Sequence, residues 1–241
     1  MNFFKHFPTA LYKFGDETNP DVFRNLAVFA EIIGDVRDVV TLYQDYYIQD
    51  GERPDQVSYK LYKNPTYHWT FFLINDNLRQ SGWPVRNYKL NEILNHEYTD
   101  TCLTTRTPLW NKMKIGQVIT GQQSGQTAQI THRNLNLGQL FVNNPNFLGT
   151  ETIISPIAEN QYEIADLTGV GPEYQSAHHY ENGDGEWVDI DPTVGPGSLL
   201  TAVSVQDMYY AKNEKLRQIR VLKKGALPQI VNAFKSAMGD A

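Results

Sequence analysis

Tyr46-Tyr47-Ile48-Gln49-Asp50-Gly51 opens the stretch that decides the fold, and Asn64-Pro65-Thr66-Tyr67-His68-Trp69-Thr70-Phe71-Phe72-Leu73-Ile74-Asn75-Asp76-Asn77 closes it. The first run is aromatic and β-branched, which suits a pleated strand, and Asp50-Gly51 supplies a turn behind it. Residues Asp55 to Tyr62 place Val57, Leu61 and Tyr62 on one side of a helix. Asn64 suits an N-cap and Pro65 the first helical position, because the cap accepts an orphan N–H and proline has none to leave unpaired. The helix over 66–74 is apolar nearly all round, so it is buried on most sides. Asn75-Asp76-Asn77 reads as its end. The order is therefore strand, helix, helix, then a return segment near Trp83 to Tyr88, with a further helix over Lys89 to Tyr98.

Upstream, Phe3, Phe4, Phe7, Tyr12 and Phe14 make an aromatic cluster. Phe23, Leu26, Ala27, Ala30 and Ile33 recur at helical spacing, which predicts a helix over Val22 to Ile33 stopped by Gly34. Downstream, charge almost vanishes over 111–157, where Gly, Gln, Asn and Thr dominate. Short apolar runs at Lys114 to Thr120, Ala128 to Arg133, Gln139 to Val142 and Thr152 to Ile154 are punctuated by Gly and Pro, which predicts a small all-β unit. Its amide-rich faces suit packing against other protein.

In the last third, His178-His179-Tyr180 and Trp187-Val188-Asp189-Ile190 flank Asn182-Gly183-Asp184-Gly185, the pattern of a β-hairpin. Ser204 with Asp207 resembles a capping box that opens a helix. Gln218 to Lys223 alternates as a strand. Leu227, Ile230, Val231, Phe234 and Met238 mark one face of a final helix with Pro228 in its first turn.

The composition excludes several classes. The 241 residues are 41% hydrophobic and 12% aromatic, more apolar than a disordered chain sustains. The net charge of -6 argues against nucleic acid or an anionic membrane as partner. The basic cluster Lys212 to Lys224 is interleaved with Leu216, Ile219, Val221 and Leu222, the pattern of a solvated face on an ordered element. Cys102 is the sole cysteine, so no intramolecular disulfide and no multi-cysteine metal site is possible, consistent with folding in a reducing cytosol. The N-terminus lacks the features of a signal peptide, and no apolar run has the ~18 residues of a membrane span.

No catalytic residue is assigned. Cys102 has no nucleophile context, and no Ser elbow, phosphate loop or His-Glu-x-x-His pattern occurs. His178, His179, Glu181, Asp184, Asp189 and Asp191 form the most metal-like cluster. Adjacent residues of a strand point to opposite faces, so the two histidines are not expected to share an ion. No metal and no cofactor is expected.

Tyr46-Tyr47-Ile48, Gly51 to Asp55, Leu61-Tyr62, Asn64-Pro65, Trp69 and Asn75 to Asn77 resemble a LysM module, a βααβ fold of about fifty residues. Asn213-Glu214-Lys215-Leu216-Arg217-Gln218-Ile219-Arg220 and the helix after it, the aromatic start at Phe3-Phe4, and Tyr67-His68-Trp69 with Asn75 to Asn77 resemble the baseplate wedge subunit encoded by gene fifty-three of T-even-like contractile-tailed phages. The middle departs from that pattern. The resemblance implies a non-enzymatic structural subunit of the virion tail baseplate, assembled in the host bacterial cytoplasm. It implies as partners the main wedge scaffold, the sheath-initiating lysozyme-like subunit, neighbouring wedge copies and tail hub or tube-cap proteins. The interface residues expected are Phe3, Phe4, Phe7, Trp83, Asn213, Glu214, Arg217, Arg220 and Phe234.

The LysM resemblance also implies an alternative, a peptidoglycan-binding protein that reads glycan between the loops Gln49 to Pro54 and Asn75 to Trp83, with Trp83 and Asn77 in contact. The single embedded copy, without a flexible linker, favours protein contact. The fold expected is α+β: an aromatic arm and helix over 1–45, a LysM-like βααβ module with a following helix over 46–98, a Gly/Gln/Asn-rich all-β insert over 99–173, and a mixed C-terminal segment over 174–241 ending in an amphipathic helix.

Overall fold

The computed structural model describes residues 8–13, 15, 19–24, 40–143 and 146–239. The chain is α+β and divides into two compact units, one of residues 1–86 with 212–241 and one of residues 87–211. The first unit is thus built from both ends of the chain. The helix Asn87–Glu97 falls in the second unit, and the last thirty residues fall in the first.

In the first unit the strand Tyr43–Tyr47 runs into the helix Pro54–Tyr62. Arg53 stands at that helix's N-cap and its N–H donates to Gln56 Oε1 at 3.0 Å. Asn64 accepts from Thr66 N at 3.0 Å and caps the 3-10 turn Pro65–Tyr67, after which the helix Trp69–Ile74 begins. Asn75 ends that helix, but Asp76–Ser81 at once forms another short helix, so the Asn-Asp-Asn run is a corner between helices. Trp83 to Tyr88 is not a strand. The partner of Tyr43–Tyr47 is Gln218–Leu222, with Gln218 opposite Tyr47 and Leu222 opposite Tyr43, antiparallel. The expectation failed because a short apolar run shows which face is buried but not which strand it meets. Phe71, Leu78, Val57, Ile48, Val221 and Leu222 form the centre of the core. Phe234 of the helix Leu227–Gly239 is buried with its ring 4.8 Å from Trp69.

Thr9–Tyr12 pairs with Asp21–Arg24 as a hairpin. Val22 to Arg24 are therefore strand, not the start of the helix expected there, and the rest of that expected helix to Ile33 falls outside the described residues. Phe3, Phe4 and Phe7 also lie outside the described residues.

The second unit holds a closed six-stranded antiparallel barrel. Its strands follow one another around the wall as Thr101–Thr105, Gln139–Val142, Thr127–Asn134, Val118–Gly121, Thr152–Ala158 and Gln161–Pro172, which returns to the first. Leu103, Ile119, Ile130, Leu140, Val142, Ile153 and Leu167 point inward and fill it. A barrel this small has room only for side chains, and closure leaves no strand edge. The strands Thr101–Thr105 and Gln161–Pro172 carried no alternation visible in the sequence, because Thr, Gly and charged residues occupy much of both.

Around the barrel lie the helix Asn87–Glu97, a sheet in which Ala177–Glu181 pairs with both Trp187–Val188 and Thr201–Ser204, and the start of the helix Val205–Arg217. Ser204 and Asp207 cap that helix reciprocally: Asp207 Oδ2 accepts from Ser204 N at 2.9 Å, and Asp207 N donates to Ser204 Oγ at 3.1 Å. Tyr209 donates to Glu97 at 3.0 Å and Tyr210 to Asn91 at 3.0 Å, which join the two helices.

Candidate functional site

Of the residues expected to face partners, Trp83 lies against Glu52, in the turn after Tyr43–Tyr47 of the first unit. Glu52 Oε2 accepts from Tyr46 Oη at 2.9 Å and from Gln49 N at 3.0 Å, and Oε1 accepts from Lys60 Nζ at 3.0 Å. Burial pushes this carboxyl up, but the Gln49 N–H, the Lys60 ammonium and the Tyr46 hydroxyl outweigh it and hold the group below its usual range. The backbone carbonyl of Glu52 accepts from Trp83 Nε1 at 2.6 Å. Trp83 also packs on Phe71 and Phe72, with centroids 6.0 and 5.9 Å away.

The loop pair of the glycan reading is thus occupied from within. Trp83 lies half-buried against Glu52, and Arg86 lies across Gly51, its Nε 2.9 Å from where a Cβ at Gly51 would stand. Trp83 thus spends its indole N–H on the Glu52 carbonyl and packs on Phe71 and Phe72.

Asn213 is buried, and its amide bonds both ways to Val85, accepting from N and donating to O at 2.8 Å each. Arg217 is buried too, and its Nη2 donates to Asp50 Oδ1 at 2.6 Å. Asn213, Arg217 and Phe234, expected at a protein interface, are packed into this unit's interior. Their helical spacing also fits an inward face. Glu214 and Arg220 are exposed. Glu214 accepts from Tyr47 Oη at 2.6 Å.

A groove of about 820 Å³ runs along the sheet of Tyr43–Tyr47 and Gln218–Leu222. Asp45, Tyr47, Gln218 and Arg220 line it from the strands, and Asn75, Asp76 and Asn77 close one end. It presents carboxylate, amide, phenol and guanidinium, with no nucleophile and no base beside one.

Residues 14–93 match the family model of base plate wedge protein 53. Over this segment the chain is similar to base plate wedge protein 53. The match supports a structural role in a phage baseplate, a place in the virion tail and association with other baseplate proteins. No curated protein matches the chain. The wedge protein 53 segment holds the strand Tyr43–Tyr47, both buried helices and Trp83, while the strand that pairs with it lies outside the match, at Gln218–Leu222.

In the second unit, His178 and His179 do not point to opposite faces. A register shift between Ala177 and His179 turns them together, Nδ1 to Nδ1 at 3.1 Å, and His179 Nε2 reaches Glu181 at 3.0 Å. His179 stacks on Trp187 at 3.9 Å. Among the described residues no group of His, Cys, Asp and Glu is arranged to hold a metal ion, and no helix is long and apolar enough to cross a membrane. Burial pushes the Cys102 thiol up, away from a reactive thiolate.

Proposed function

We propose that the chain is a joining subunit of the phage tail baseplate wedge, binding other wedge proteins and neighbouring wedges around the tail hub, with no catalytic activity. The match to base plate wedge protein 53 over residues 14–93 carries this reading. The groove of Asp45, Tyr47, Gln218 and Arg220 supplies a polar face for a protein partner. The main wedge scaffold and the sheath-initiating lysozyme-like subunit are the partners expected, met during assembly in the host cytoplasm. Nucleic acid and membrane are not expected among them.

Peptidoglycan binding is disfavoured by Trp83, whose indole is bonded to the Glu52 carbonyl and packed on Phe71 and Phe72. Co-expression with the wedge proteins tests the proposal. Co-purification at micromolar concentration is the expected result, and a folded monomer that captures none of them would sink it.

A further inference from the structure

From Asn134 to Ala211 the chain contains no Lys and no Arg, while eleven Asp and Glu fall in the same span. Four of these, Asp184, Glu186, Asp189 and Asp191, are exposed along one short segment of the second unit. The same segment exposes Trp187, Val194 and Leu199, at 65%, 80% and 88%.

The loop is not slack. Asp191 Oδ1 accepts from Thr193 N at 2.8 Å, and its backbone carbonyl accepts from Gly195 N at 2.8 Å. Arg106 donates to the Pro192 carbonyl at 3.2 Å and lies against Gly195, whose φ of 95° a side chain would not adopt without strain. Apolar side chains presented on a pre-ordered loop lose little freedom on binding, which is how interface anchors work.

The complement stands in the first unit. Lys212, Lys215, Arg220, Lys223 and Lys224 are exposed within thirteen residues, where Glu214 is the sole acid and is engaged by Tyr47. Each copy therefore carries, in its second unit, exposed acids beside exposed apolar side chains and, in its first unit, a run of exposed cations. We infer that the chain associates head to tail, the acidic 184–199 segment of one copy meeting the Lys212 to Lys224 strip of the next. Phosphate-rich partners are repelled by the same acids. Head-to-tail contacts are heterologous, so they close into a ring or extend from copy to copy. This inference rests on the joining role proposed above and names one partner for it, a second copy.

Sedimentation of the full chain at low (about 50 mM) and high (about 500 mM) salt tests it, because screening weakens surface attraction. Association at low salt that falls at least about tenfold at high salt is expected. Two triple variants sharpen the test: Asp184→Lys/Glu186→Lys/Asp189→Lys, and Lys212→Glu/Lys215→Glu/Lys224→Glu. Each alone is expected to stay monomeric with an unchanged circular dichroism spectrum. Mixed, they regain association, since the native strip of the first meets the native acids of the second. A monomer at every salt, or association that neither variant alters, overturns the inference. Either result leaves the wedge reading standing if the chain still co-purifies with the wedge proteins, so the two failures are distinguishable.

Discussion

The side-chain amide of Asn75 is bonded in both directions to the backbone of Arg220: Oδ1 accepts from N at 2.9 Å, and Nδ2 donates to O at 2.8 Å. The ladder explains why this residue is needed. Ile48 N bonds Arg217 O and Lys223 N bonds Leu42 O, so Arg217, Ile219, Val221 and Lys223 turn their backbone toward Tyr43–Tyr47. Arg220 turns its backbone the other way, to the open edge. Asn75 pairs that edge as a neighbouring strand would, and so keeps it from recruiting another chain. Asn75 is buried, so Asn75→Ala leaves a donor and an acceptor unpaired. A loss of about 2–4 kcal/mol is expected by urea unfolding, with Asn75→Asp intermediate because it retains only the acceptor.

The wedge protein 53 segment does not hold its own second strand. Expressed alone, residues 14–93 are expected to show no cooperative thermal transition, because Val221, Leu222, Ile230 and Phe234 are missing from the core. Supplying residues 212–241 in trans restores one. A sharp transition from the short fragment alone would contradict this account.

Glu151 in the barrel unit is 1% exposed and accepts from Ser124 N at 3.0 Å, from Leu148 N at 2.6 Å and from Ser124 Oγ at 2.8 Å. Burial raises its pKa, but the Ser124 and Leu148 amides and the Ser124 hydroxyl outweigh it and lower the value below the ordinary carboxylate range. A lowered folded-state pKa means that the stability is present above the unfolded value, about 4.3, and is lost as pH falls through the folded one. Glu151→Gln is expected to flatten that acid limb in a pH series of melting temperatures. It also costs about 1–3 kcal/mol near neutrality.

Gly121 is fixed by the same carboxylate. A Cβ there would stand within 2.6 Å of both Glu151 Cδ and Ser124 Oγ. Gly121→Ala is expected to lower the melting temperature of the full chain, and Gly121→Ala with Glu151→Ala to cost less than the two changes summed, since the clash with the carboxylate disappears and only that with Ser124 Oγ remains.

Trp83→Phe keeps the packing on Phe71 and Phe72 but removes the bond to the Glu52 carbonyl. About 1 kcal/mol of destabilisation is expected. Retention on purified peptidoglycan is expected to be absent in both forms, and specific retention of the native chain that Trp83→Phe abolishes would restore the glycan reading.

Much of this was legible from local pattern. Asn64-Pro65, Ser204 with Asp207, and the apolar spacing through Leu227, Ile230 and Phe234 give three element starts and one buried face, since capping and amphipathicity act within a few residues. The roles of Asn213 and Arg217 were not legible. Both are polar, and only their distant partners, Val85 and Asp50, make their burial tolerable. The paired orientation of His178 and His179 was hidden too, because it depends on a bulge that no residue of the hairpin announces.

By itself the sequence determined the strand at Tyr46, the buried aromatic helix, the run of short strands, the α+β class and the likeness to a baseplate wedge protein, all properties written in residue type and short-range spacing. Only the tertiary structure decided that Gln218–Leu222, not the segment after Trp83, completes the first sheet, and that the middle strands close on themselves. Strand pairing is a choice among chemically similar partners. It is settled by which pairing buries Val221 and Leu222 and leaves Asn75 to cover the edge.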